Sequence, residues 1–303
     1  MASAHRSQLS AAARELLDPA WQMRWRVPEV ALMLSDRAIA HARGTGESAL
    51  RLRPEAVGLF ALNRLGRGVA SAHRAVAAVR DAQAANDEEV LASLRVELAC
   101  VARNAGSCEV AARVLDPVLR REQLDPTVRA HALIERAAAP VGRSGNSAPE
   151  RAESLDEAER LCAAAESHRD TGRVLRARVN NARACLHRRY GRFAAAADAS
   201  QAGLATLGEL EDQAAESGEI RTCLVLEQVH ALLELGRRSE AVRAADPVLR
   251  QPVRAAAAGP SGWLRFALAT RVYLPEGERA TSVGLLNEAV ATAERHAVDT
   301  LLV

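Results

Sequence analysis

Five cysteines, Cys100, Cys108, Cys162, Cys185 and Cys223, are the residues most able to hold a metal or attack an electrophile, and their spacing argues against both. Their number is odd and no two form a Cys-x-x-Cys pair. Cys185 and His187 stand two apart, which points them to different faces of a helix. Packed, reduced thiols are expected, with no metal and no cofactor. Gly-x-Ser-x-Gly, His-Glu-x-x-His and the phosphate-binding P-loop are also missing, so the chain reads as non-catalytic. What remains chemically distinctive is arginine. There is no lysine, so all 40 basic residues are arginine, against 38 acidic residues and a net charge of +2. A guanidinium offers a planar fork of donors for carboxylate or phosphate, and an asparagine beside it can bond a peptide backbone. Both types occur close together at Asn63 and Arg64, at Arg103 and Asn104, and at Arg178 and Asn181, with Arg53, Arg188 and Arg189 nearby in the pattern described below.

Composition narrows the partners. Arginine is interleaved with acid throughout and aromatics are only 3%, so the chain lacks both the net positive charge and the stacking platforms of a nucleic-acid binder. Nothing approaches 18 uninterrupted apolar residues, and the first residues lack a secretory apolar core, so a cytoplasmic chain without membrane contact is expected. With 49% hydrophobic and 26% charged residues, the chain has ample material to fold.

The elements that must position these side chains are helices. Ala, Leu, Arg and Glu dominate every long segment, a mixture that favours helix. Asp116-Pro117-Val118-Leu119-Arg120 is repeated identically at Asp246-Pro247-Val248-Leu249-Arg250, and in each case a glycine lies upstream with an alanine five residues after it: Gly106 with Ala111, and Gly236 with Ala241. Gly191 with Ala196 follows the same grammar, and Gly66, Gly142 and Gly277 mark weaker copies, 36 to 49 residues apart. Gly permits the left-handed residue that ends a first helix, and a small residue in the second lets two backbones approach. Paired helices are predicted at 28–43, 47–65, 67–85, 88–104, 107–122, 126–139, 150–168, 172–189, 192–215, 218–235, 238–251, 262–273 and 278–296, behind an opening helix at 5–26. Trp21 and Trp25, four apart, are expected to close that opening helix onto the array. His230 reads as a packing residue. Pro117 and Pro247 are expected to kink or restart their helices, residues 142–149 to form a loop, and Gly259-Pro260-Ser261-Gly262 to break a joint.

The stretches "RRYGRFAAAADASQAGL" and "LLELGRRSEAVRAADPVL" resemble the turn and second helix of the tetratricopeptide repeat. The likeness implies an all-α, right-handed superhelical array of hairpins, an α-solenoid over residues 1–303 as one domain, although the spacing exceeds the usual 34 residues. It also implies that the first helices supply a concave binding face. Counting back from each glycine, the inward positions are Arg53, Ala56, Phe60, Asn63 and Arg64; Ser93, Val96, Cys100, Arg103 and Asn104; Arg178, Asn181, Cys185, Arg188 and Arg189; and Cys223, Leu226, His230, Leu233 and Glu234. The first three sets suit an acidic peptide, a protein partner or a small anion.

The opening "LLDPAWQMRWRVPEVALMLSDRAIAHA" resembles the helical-repeat regions of actinobacterial multidomain regulators. That likeness implies a sensory or interaction module controlling an attached output domain, such as a GGDEF diguanylate cyclase; the alternatives are a transcriptional regulator and a free-standing adaptor. Asp299 is placed to cap a further helix, so the chain is expected to be a fragment, with self-association as a homodimer through apolar surface near Leu301 and Leu302.

Overall fold

Asp-Pro and Asp-Glu pairs open two of the helices, and a left-handed glycine closes five. In the computed structural model, residues 2–24, 27–45, 49–121, 123–138, 148–164, 169–208, 215–251, 253 and 257–296 are described. They contain fourteen α-helices and one π-helical turn, and no strand among the described residues. The helices are α1 (Ala2–Met23), α2 (Pro28–Thr45), α3 (Ala49–Arg64), α4 (Gly68–Ala85), α5 (Glu88–Asn104), α6 (Cys108–Leu119), α7 (Pro126–Ala138), α8 (Ala148–Ala164), α9 (Arg169–Arg189), α10 (Phe193–Gly208), α11 (Ala215–Glu234), α12 (Arg238–Leu249), α13 (Ala258–Leu268) and α14 (Arg279–His296). The π turn, Ala269–Tyr273, continues α13. The class is all-α, and the elements are helical hairpins laid down in chain order.

Local chemistry sets the ends. Asp87 caps α5, its side chain accepting from the Val90 amide at 3.1 Å, with Glu88 and Glu89 in the first turn where the helix dipole favours acid. Asp125 does the same for α7, accepting from Thr127 and Val128, and Pro126 stands at the first helical position, where no donor is needed. At the other end, the Gly106 amide donates to Arg103 O at 2.9 Å and the Ser107 amide to Ala102 O at 2.8 Å. This pair closes the helix in a Schellman motif, and the same bonds recur at Gly66, Gly191, Gly236 and Gly277. All five glycines have φ between 69° and 82°. Asn86 (φ 53°) makes the equivalent joint between α4 and α5, which glycine spacing could not mark.

Small residues follow each joint. The fifth position after the glycine is Ser71, Ala111, Ala196, Ala241 or Ser282, all at most 2% exposed, so second helices cross their partners where side chains are shortest. At Gly203 the approach is closer still: a Cβ there would meet Leu224 Cδ2 at 2.7 Å.

Three expectations change. Pro117 and Pro247 do not restart their helices; α6 and α12 run through them and end two residues later, with Arg120 and Arg250 amides still bonded to Asp116 and Asp246 carbonyls. Gly259 to Gly262 are not a break but the first turn of α13, where Pro260 loses no bond. Trp21 does not bury itself as a cap: it is 46% exposed. Trp25, the Cys162 side chain, Gly142 and most of its loop, Asp299, Leu301 and Leu302 lie outside what is described.

The helices divide into two compact units: α1 to α6 with α7 as far as Glu135, and the last residues of α7 with α8 to α14. In the first, Leu52, Leu59, Ala75, Ala78 and Leu94 form one core, and Ala99, Leu115, Val118 and Ala132 a second. In the second unit, Val229, Leu232, Ala241, Leu264 and Leu268 form the main core.

Candidate functional site

The first helices of successive hairpins touch directly: α3 with α5, α9 with α11, and α11 with α13. Each therefore presents its polar face to the next, and arginine on one helix meets glutamate on its successor. Arg103 Nε donates to Glu135 Oε2 at 2.7 Å. Arg188 makes a forked pair with Glu227, Nε to Oε2 at 2.7 Å and Nη2 to Oε1 at 3.3 Å. Arg178 Nη2 bonds Glu219 Oε2 at 3.2 Å, and Arg271 reaches back to Glu234 at 2.7 Å. Arg53, well exposed, stands 3.8 Å from Glu89. The strip read from sequence as a row of arginines is a ladder of ion pairs.

The remaining members take other partners. Asn63 Nδ2 donates to Glu97 Oε2 at 2.6 Å and to Glu97 O at 3.1 Å. Arg64 is buried, with its guanidinium 5.3 Å from the Phe60 ring centre and Nη2 3.7 Å from Cys100 Sγ. Asn104 is exposed and bonds the same sulfur at 3.8 Å. Asn181 is half-buried with no donor to its Oδ1. Arg189 is exposed and donates to Ala138 O at 2.9 Å.

The charges respond to this packing. Burial alone would lower the Arg103 pKa, but Glu135 outweighs it and the group stays above its ordinary value. Glu135 is the mirror case: burial would raise its pKa, yet Arg103 and His131 hold it well below the usual carboxylate range. Burial, reinforced by Glu135, pushes the Cys100 thiol up to about 12, so it is an inert packed thiol at neutral pH. His230 is half-buried, as its sequence context suggested; burial and then Arg188 hold its pKa below the ordinary imidazole value.

In the first unit the ladder closes into a polar core beneath a small cavity of about 50 Å³. Ala56, Phe60, Ser93 and Val96, all placed inwards by the glycine register, line it together with Trp21, Glu97 and His131. Arg24 lies over the Trp21 ring at 3.6 Å. His131, 6% exposed, stands between two carboxylates, with Nδ1 3.8 Å from Glu97 and Nε2 3.6 Å from Glu135, and edge-on to Phe60. Among the described residues no group of three potential metal ligands has metal-binding geometry.

Glu97, Glu227, Glu135 and His131 were not singled out in the sequence. A signal existed for two of them: Glu97 and Glu227 both lie nine residues before their glycines, Gly106 and Gly236. The inward count skipped that position because it faces the neighbouring first helix rather than the groove.

No family model matches the sequence, and no curated protein is similar to it. Among solved structures the chain is similar to a tetratricopeptide repeat protein from Parabacteroides merdae, with a TM-score of 0.53 and 12% identity over 97% of this chain and 100% of that one. The fold is thus that of a tetratricopeptide-like helical array. No described helix is long and apolar enough to cross a membrane.

Proposed function

We propose that this chain is a non-catalytic interaction module that takes a protein segment with acidic side chains on the face of its first helices and so regulates an attached signalling domain. The observation that carries it is the ladder: Arg53, Arg103, Arg178 and Arg188 on first helices are each paired with a glutamate of a following first helix. A guanidinium fixed by one carboxylate keeps donors for a second. Arg53 is the exposed member of the ladder and the natural first contact on the first unit; on the second unit that place falls to Arg189, exposed and bonded to Ala138 O. Arg103, Arg178 and Arg188 belong to the ladder's frame, and Asn63, Arg64, Asn104 and Asn181 support it. The output domain, a diguanylate cyclase by preference, rests on the resemblance of the opening residues, and self-association of the module on the apolar residues Leu301 and Leu302.

A labelled peptide rich in Asp and Glu, titrated by fluorescence anisotropy, tests the partner class. Arg53→Glu and Arg189→Glu are each expected to weaken binding while leaving the helical signal unchanged. Equal binding by both variants, or no preference over a Lys-rich peptide, rejects the acidic partner. Cyclase activity of the full gene product, with and without the module, tests the output.

A further inference from the structure

The rung between α3 and α5 at Asn63 lacks an arginine. Three residues before the glycine, α5 carries Arg103 and α9 carries Arg188, and each pairs with a glutamate of a following first helix. The same position in α3 is Asn63, which gives Glu97 an amide in place of a guanidinium. Glu97 is 4% exposed, yet among the described residues no arginine lies within ion-pair distance of it, unlike Glu89, Glu135, Glu219, Glu227 and Glu234. Its other polar neighbour, His131, is 3.8 Å away and shared with Glu135. The Asn63 Oδ1 beside it is buried and accepts no bond. A buried carboxylate without a cation is costly, and here it forms part of the wall of a cavity.

We propose that this cavity binds a small primary ammonium whose charge completes the rung against Glu97. Arg24 also lines the cavity, with its guanidinium laid on the Trp21 ring, and the apolar part of the wall fits that chemistry. Phe60 and Trp21 line it with aromatic rings, and Val57, Val96 and Val128 offer apolar surface for a short aliphatic stem. Arg24 and Arg64 already lie over the Trp21 and Phe60 rings, at 3.6 and 5.3 Å, which shows the preference at work within the chain. The cavity holds only a few water-sized volumes, so the stem is short: a free alkylamine, or the end of a lysine side chain presented by a partner. This site is independent of the acidic-segment face, whose contacts are Arg53 and Arg189.

The test is calorimetric titration of the full chain with n-butylammonium chloride, with n-butanol and sodium butylsulfonate as controls. The ammonium is expected to bind at one site and the controls not at all. Glu97→Gln removes the charge but keeps an acceptor for Asn63, and is expected to weaken binding about thirtyfold or more, the lower end of what losing one member of a buried charge pair costs. Asn63→Arg installs the missing guanidinium; it is expected to abolish amine binding while keeping the melting midpoint at or above that of the unaltered chain. Nα-acetyl-lysine N-methylamide separates the sources, binding more tightly than butylammonium if a partner's lysine is the occupant and more weakly if a free amine is. Absence of ammonium binding, equal binding of butanol, or undiminished binding by Glu97→Gln overturns the proposal. So does undiminished binding by a folded Asn63→Arg chain.

Discussion

Replacing Arg103 by methionine isolates the energetic role of the ladder. The Arg103 side chain is 24% exposed and the Glu135 side chain 6%, and Nε to Oε2 is 2.7 Å, so the substitution leaves a buried carboxylate with only His131 nearby. Breaking one side of such a pair costs about 3–5 kcal/mol, whereas replacing both sides with apolar groups of similar volume is often neutral. Arg103→Met is therefore expected to lower stability by about 3 kcal/mol, the smaller end because the arginine is partly solvated, and adding Glu135→Met to restore most of the loss. The pH dependence has a definite sign. In the unaltered chain Glu135 lies below its unfolded value of about 4.3, so its contribution is present above that pH and is lost only as the pH falls through the lower, folded value. Without Arg103 burial prevails, the folded pKa rises above the unfolded one, and the variant's deficit narrows as the pH falls from about 8 to about 5. Urea denaturation of the two single variants and the double variant, followed by circular dichroism at several pH values, closes the cycle. Additive losses, or a deficit independent of pH, would refute the coupling.

Ala241 is fully buried at a hairpin crossing, and Ala241→Leu is expected to cost about 1–3 kcal/mol through overpacking; an unchanged melting midpoint would remove that crossing. Gly106→Ala and Gly203→Ala separate two roles of glycine. The first meets nothing within 4 Å and costs about 1–2 kcal/mol from its φ of +77° alone, while the second, whose Cβ would meet Leu224 at 2.7 Å, requires that side chain to move, as thermal melts of the pair and of a Gly203→Ala, Leu224→Val double variant would read out. Self-association is expected at micromolar concentrations, and sedimentation showing only monomer would dismiss it.

Fold class and helix positions were legible from one sequence because they follow from local rules. Glycine must be where φ is positive, a small residue must be where backbones cross, and Ala, Leu, Arg and Glu make helix wherever no breaker stands. Gly66, Gly106, Gly191, Gly236 and Gly277 all occupy the left-handed region, and the register counted from them placed Ala56, Phe60, Ser93 and Val96 on the cavity wall. Asn86 escaped that rule because asparagine also tolerates the left-handed conformation and leaves no glycine to count. What the sequence could not reveal was how the arginines are used. An arginine strip and an arginine–glutamate ladder have the same helical positions, and they differ only in which residue of the next first helix, 32 to 41 positions on, comes within 4 Å. That depends on how far hairpins are rotated and shifted against each other, a property of packing between distant segments. The same packing set Glu97 against Asn63 where Glu135 and Glu227 face a guanidinium.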